Sequence, residues 1–208
     1  MNANSWGLWL FNCGVDYDGI ILAGGRARRL GGVDKALIEI GGRTLLETAL
    51  AAAAGARSTV VVGPERPGFE AVSWLLEDPP GSGPVNSLLA GLRLGSAPLV
   101  AVLAADLPFV TGAAVDRLAA AVGDADGAIA VDASGRDQYL LAVYRRAVLV
   151  PALEGLPSSI GAPLMDAVGS LRLVRIRDDS ASSDCDTPDD VTAARRLTEE
   201  DQGVRGVD

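Results

Sequence analysis

The chain has 208 residues, a length suited to one domain with a real core. Its formal net charge of −9 makes nucleic acid and anionic membrane poor partners for the surface as a whole. It contains no histidine, which excludes Ser-His-Asp and Cys-His catalysis and histidine-ligated zinc. Residues 1–15 read as an N-terminal tail. Trp6, Leu8, Trp9, Leu10 and Phe11 are apolar but follow no basic residue, so the segment does not read as a secretory signal, and Val15 is a candidate alternative start. Nowhere does an apolar run approach the ~18–20 residues that span a bilayer.

From Asp18 onward, strands and helices alternate. Gly19–Ala23 reads as a short buried strand, and Leu37–Ile40 as a brief one ended by Gly41-Gly42. Thr44 caps a helix whose apolar face is Leu45, Leu46, Ala49, Leu50 and Ala53. Thr59–Val62 and Val72–Leu76 read as strands, and residues 79–83 as a loop. Pro84 suits the first position of a helix carrying Val85, Leu88, Leu89 and Leu92. Leu99–Ala104 is a continuous apolar strand, the kind buried on both faces of a parallel sheet. A helix with Val115, Leu118, Ala119 and Val122 on one side follows. Strands are predicted at Gly127–Val131, Tyr139–Tyr144 and Leu171–Ile176, and helices at Arg146–Glu154 and Gly161–Val168. Thr187-Pro188-Asp189-Asp190 opens a last helix as a capping-box variant, and residues 199–208 read as a polar C-terminal tail.

This order predicts an α/β domain over residues 16–198, a Rossmann-like three-layer sandwich with a mostly parallel sheet. Ligands of such sheets bind beyond the carboxyl ends of the strands. Three features stand there: the loop from Gly24 to Lys35, Asp78 and Asp106.

The loop reads Leu22-Ala23-Gly24-Gly25-Arg26-Ala27-Arg28-Arg29-Leu30-Gly31-Gly32-Val33-Asp34-Lys35 and ends in the only lysine of the chain. Glycine lets backbone N–H groups approach an anion, arginine forks onto phosphate oxygens, and lysine adds a point charge. An arginine cluster alone would read as a solvated loop; the glycines and Lys35 turn the reading toward phosphate. The loop matches neither the dinucleotide fingerprint nor the P-loop. Asp106, at the mouth of the best buried strand, is the expected Mg2+ ligand, since magnesium takes one or two carboxylates and completes its shell with phosphates and water. Taken alone, Asp106 would serve equally well as a turn or cap aspartate. Asp78 could accept hydrogen bonds from a base or ribose, or simply begin the turn before Pro79-Pro80. Asp184 and Asp186, two residues apart before a helix, could touch a metal or a substrate, and the helix cap explains them only in part. Cys13 and Cys185 form no C-x-x-C pair and no metal-ligand spacing; a reducing cytoplasm is the default setting.

Together these residues resemble the molybdenum cofactor guanylyltransferases, part of a nucleotidyltransferase group with a signature close to L-A-[GA]-G-x-S-x-R-M-G-x-x-K. The resemblance runs from about Asp18 to Leu197 and includes Gly83-Pro84 with Leu89-Ala90-Gly91-Leu92, Asp106-x-Pro108 and Thr187-Pro188. Ala27 and Leu30 replace the signature serine and methionine. The resemblance implies a fold like that of the nucleotide-diphospho-sugar transferases. It also implies GMP transfer from GTP to the phosphate of molybdopterin, with Mg2+ as cofactor and accessory or acceptor molybdoenzymes as further partners. By position, Leu22, Ala23, Gly24 and Gly25 would line the nucleotide and Arg29 and Lys35 its phosphates. Asp78 would bind the nucleotide, and Asp106 both nucleotide and metal. Gly24 stands where cytidylyltransferase relatives more often carry alanine. Asp184 and Asp186 replace the family's usual asparagines, and Gln138 stands where histidine is frequent; both regions are expected to face the pterin. The rival readings are a nucleotidyltransferase using CTP or another phosphorylated acceptor, and a catalytically silent GTP-binding subunit.

Overall fold

The computed structural model describes residues 15–24, 34–179 and 184–205. Seven strands form one sheet: β1 (Tyr17–Leu22), β4 (Thr59–Val62), β5 (Ser73–Leu75), β6 (Leu99–Ala104), β7 (Gly127–Val131), β8 (Asp137–Arg145) and β9 (Leu173–Arg177). A two-residue pair, β2 (Glu39–Ile40) and β3 (Arg43–Thr44), makes a separate hairpin. The helices are α1 (Leu45–Ala52), α2 (Pro84–Gly91), α3 (Gly112–Ala121), α4 (Arg146–Glu154), α5 (Leu164–Val168) and α6 (Pro188–Arg205).

The sheet order is β5-β4-β1-β6-β8-β7-β9. β8 pairs antiparallel with both β6 and β7, while every other neighbouring pair is parallel. The expected mostly parallel sheet is therefore present, with one reversed strand. From β1 the chain builds outward to β4 and β5, then returns to place β6 on the other side of β1. A crevice opens where strand order reverses in this way, beyond the carboxyl ends of β1 and β6.

Both faces of the sheet are covered, which explains the uninterrupted apolar runs of β4 and β6. On one face Ile21, Val61, Ala101 and Leu103 pack against Leu46 and Ala49 of α1 and Val115 and Leu118 of α3. On the other, Ile20, Val62, Val100 and Val102 meet Val85 and Leu88 of α2, Leu149 and Leu153 of α4, and Val168 of α5. A third cluster of Ile40, Leu45, Cys185, Val191 and Ala194 docks α6 on the β2–β3 hairpin. None of the described helices is long and apolar enough to cross a membrane.

The predicted caps form. Thr44 Oγ accepts from the Glu47 N–H while the Glu47 carboxylate accepts from the Thr44 N–H, and Thr187 and Asp190 repeat the exchange at α6. Some boundaries differ. The predicted strand at Leu37–Ile40 is split: Lys35–Leu37 coils into a 3-10 turn capped by Asp34, leaving only Glu39–Ile40 extended. The helix expected from Gly161 starts at Leu164, because Pro163 holds extended backbone. Residues 200–205, read as part of a polar tail, continue α6. The segment of residues 1–14, with Cys13, lies outside the described residues.

At the amino edge of the sheet sits a buried ion pair. Asp18 accepts from Arg146 Nη2 (2.6 Å), Ser58 Oγ (2.7 Å) and the Ala97 N–H (2.8 Å). Arg146 also donates to the carbonyls of Ala97 and Leu92, so α4 is tied to β1 and to the turn before β6. Asp18→Ala leaves that guanidinium unpaired in the interior and is expected to cost about 3–5 kcal/mol of unfolding free energy. Urea denaturation measures it, and a loss below about 1 kcal/mol would show that the pair carries little.

Candidate functional site

Six strands run toward one edge of the sheet, and their exits build the site. β1 leads into Ala23 and Gly24, β5 into Glu77, and β6 into Ala105 and Asp106. Because β8 runs the other way, its first residues, Asp137 to Leu140, reach the same edge. These exits, with Gly81, Gly83, Ser87 and the start of α5, enclose a crevice of about 560 Å³. That volume falls in the usual ~300–1,000 Å³ range of small-molecule sites.

Lys35 sits in a small recess that adjoins the crevice at Leu22, Gly24 and Asp106. Its Nζ donates to Asp106 Oδ2 at 2.9 Å and also to Asp186 Oδ1. Burial opposes the ammonium, but the hydrogen bond to Asp186 and the charge and hydrogen bond of Asp106 outweigh it, so the Lys35 pKa lies above its ordinary value. Lys35 is thus a cation at any working pH. Asp184 lines the crevice with Asp106. Its carboxyl is pushed up by burial first, then by the negative charges of Asp186 and Asp106. One ammonium therefore faces three carboxylates, and an excess of negative charge remains.

The acidic strap is anchored by its middle residue. The Cys185 N–H donates to the Asp106 carbonyl at 3.1 Å, and its side chain is buried in the α6 cluster. Burial, then the charge of Asp106, pushes the thiol up to about 12, so Cys185 is an inert wedge rather than a nucleophile. Its chemistry does not mark it in the sequence; its place between two aspartates is the only signal.

Arg66 carries no mark in the sequence either. It is 8% exposed and forks onto Asp34, with Nε to Oδ2 at 2.7 Å and Nη2 to Oδ1 at 2.9 Å. The same guanidinium donates to the carbonyls of Ala23 (2.8 Å) and Pro64 (3.0 Å) and stacks 5.6 Å from the Trp74 ring. Arg66 thereby clamps both ends of the glycine-rich loop, at Ala23 and Asp34. Gly63 lets the strands close here. Its φ is +151°, and a Cβ would stand 2.8 Å from the Ala23 carbonyl.

The structure brings together most of the expected site residues. Leu22, Gly24, Asp106 and Asp184 line the crevice, and Ala23, Lys35 and Asp106 share an adjoining recess. Asp186 reaches Lys35. Gly25 and Arg29, with Arg26 and Arg28, lie outside the described residues. Asp78, expected to bind the nucleotide, is exposed at the exit of β5, and its neighbour Glu77 is buried and lines the crevice. Among the described residues no three acidic or thiol side chains are close enough to hold a metal by themselves.

Comparison with known proteins agrees with this geometry. Residues 19–172 match the MobA-like NTP transferase domain family. A probable molybdenum cofactor guanylyltransferase of Mycobacterium tuberculosis is 34% identical over 170 residues, which cover 77% of this chain and 84% of that protein. A molybdenum cofactor guanylyltransferase of Mesorhizobium japonicum is 37% identical over 139 residues, covering 62% of this chain and 67% of the relative. Among solved structures, molybdopterin-guanine dinucleotide biosynthesis protein A from Archaeoglobus fulgidus shares the fold with a TM-score of 0.67 at 21% identity, over 88% of this chain and 99% of its own. The 2-C-methyl-D-erythritol 4-phosphate cytidylyltransferase of Thermus thermophilus gives 0.66 at 25% identity, over 89% and 100%.

The clamp is testable without substrate. The Ala36 N–H is held by Asp34 Oδ1, which Arg66 in turn holds. Arg66→Lys keeps the charge but loses the fork, at about 1.5–3 kcal/mol, so exchange of the Ala36 amide should rise about 10–100-fold. Exchange at Ser87 in α2 should not change. Unaltered protection at Ala36 in the variant would remove Arg66 from this role.

Proposed function

The chain belongs to the MobA-like NTP transferase domain family, and we propose that it transfers GMP from GTP to the phosphate of molybdopterin, releasing pyrophosphate. The observation that carries the proposal is the convergence of Asp106 and Asp186 on the Lys35 ammonium, in and beside the recess that adjoins the crevice beyond the ends of β1 and β6. Relatives at 34% and 37% identity that bear the guanylyltransferase name support the choice of substrates.

The glycine-ended strand β1 and the loop after β5 form the near wall, which takes the nucleoside. Asp137, Gln138 and Tyr139 from β8 and Leu164 and Met165 from α5 form the far wall, which takes the acceptor. The acceptor phosphate attacks the α-phosphorus of GTP. A new P–O bond forms as the bond to the β-phosphate bridge oxygen breaks, and the electron pair leaves with pyrophosphate. A phosphate monoester has a second pKa near ~6, so the attacking oxygen is already anionic at neutral pH and no strong general base is required. A chain without histidine suits such a reaction. Catalysis then rests on positioning and on neutralising charge. Lys35, fixed by its two carboxylates, offers a preset cation to the phosphates, and Arg29 of the loop is assigned to the same triphosphate.

The residues also fit a magnesium ion shared with the substrate. Asp106 and Asp184 stand together at the crevice with Asp186 close by, and no all-protein cage exists among the described residues. Asp106 and Asp184 would hold Mg2+, which when bound offsets the charge of the phosphates. A buried free thiol at Cys185 is compatible with a reducing, cytoplasmic setting.

Pyrophosphate release from GTP with purified molybdopterin tests the reading, with CTP as the competing donor because the cytidylyltransferase neighbour shares the fold equally well. Lys35→Ala and Asp106→Ala should each lower turnover by about 10²–10³, or about 2.7–4 kcal/mol, with little change in Tm. Near-native turnover in either variant, or preference for CTP, would overturn it.

A further inference from the structure

Among the described buried side chains, Glu77 alone keeps a polar atom without a partner. Its carboxylate is 4% exposed and lines the crevice. Oε1 accepts from the Gly81 N–H at 2.8 Å, whereas Oε2 accepts from nothing. No described lysine or arginine pairs with it. A carboxylate is acceptor-only when ionised, and one left unpaired away from water is costly unless a donor arrives. The missing donor has to come through the crevice. Gly24 stands directly opposite: a Cβ there would lie 3.6 Å from Oε1, so the carboxylate and the bare end of β1 border the same space. Ser87 of α2, Gly81 and Gly83 line the same crevice, none with a charge to answer it.

We propose that Glu77 selects the base of the donor nucleotide, its free Oε2 accepting from the exocyclic N2 amine of guanine. This rests on the guanylyl-transfer reading above and adds the residue that would make it specific. Guanine presents two adjacent donors, N1–H and N2–H, along one edge. Adenine and cytosine place a ring-nitrogen acceptor beside their amine, and uracil flanks its single N–H with carbonyls. A carboxylate oxygen therefore welcomes the donor edge of guanine and repels lone pairs on the others.

The test compares kcat/KM for GTP and xanthosine triphosphate in the wild type and in Glu77→Gln. Xanthine replaces the N2 amine by a carbonyl, which the carboxylate repels and a carboxamide can donate to. Wild-type protein should prefer GTP, and Glu77→Gln should lower the GTP-to-xanthosine ratio by about 100-fold or more. A structural role, or a contact to ribose, would weaken both nucleotides alike and leave the ratio unmoved, which overturns the inference while the guanylyl reading stands. Wild-type protein that ignores GTP but uses another triphosphate overturns both. Should Glu77→Gln not fold, wild-type protein decides the matter with inosine triphosphate, which lacks the N2 amine. A fall of about tenfold or more against GTP supports the assignment, and parity defeats it.

Discussion

One ammonium held between two carboxylates fixes the geometry of the carboxyl edge. Lys35 arrives from the far end of the glycine-rich loop, Asp106 from the exit of β6, and Asp186 from the strap before α6. Three segments distant in sequence thus meet at a single nitrogen. The pairs are partly exposed, and ion pairs of that kind contribute ~0–1 kcal/mol each to stability. Their value lies in placement. An oxygen of an incoming phosphate can take the position of a carboxylate oxygen on Lys35 without stripping the cation of its shell, so binding exchanges one anionic partner for another. The cation is already oriented, which removes the reorganisation that a mobile lysine would require.

The reversed strand decides the rest of the site's shape. In an all-parallel sheet every strand would bring its carboxyl end to this edge. Here β8 enters at the edge instead, and its opening residues Asp137, Gln138 and Tyr139 become a wall facing the β1 and β5 exits. Tyr144, further along β8, is buried and donates to the Tyr139 carbonyl at 3.0 Å, bracing that entry from beneath. The crevice is consequently open between two unlike walls: glycine-rich backbone on one side, side chains of β8 and α5 on the other. That asymmetry suits two substrates of different character meeting at a phosphate.

Much of this was legible in the sequence because its signals are local. Leu99–Ala104 could only be a strand buried on both faces, and Thr44 with Glu47 could only start a helix. Lys35 and Asp106 were legible as partners because both follow strands, and the exits of parallel strands share an edge. The direction of β8 was not legible, since a strand with a continuous apolar run reads the same in either sense. Arg66 was hidden because nothing around Pro64-Glu65-Arg66-Pro67 announces that a guanidinium will reach Asp34 and Ala23 across the sheet edge. Glu77 carried no mark of its own beside Asp78, because which residue after β5 turns inward depends on backbone that the sequence does not reveal.

The two edges of the sheet show how one fold separates stability from chemistry. At the amino edge Asp18 has both oxygens occupied, by Ser58, Ala97 and Arg146, and Arg146 directs its remaining donors to backbone carbonyls. A network satisfied to that degree rigidifies and leaves nothing for a ligand. At the carboxyl edge the arrangement is reversed. Glu77 keeps an oxygen unmet, and Asp184 stands at the crevice beside like charges. Such groups persist only where the surrounding structure holds them, and here the clamp of Arg66 and the wedge of Cys185 do so. Among the described buried side chains the one unmet oxygen, Glu77 Oε2, lies on a wall of the crevice and not in the core. Its place follows from the topology: the reversal of strand order at β1 opens a crevice at this edge, where a polar group can be left for a substrate to complete.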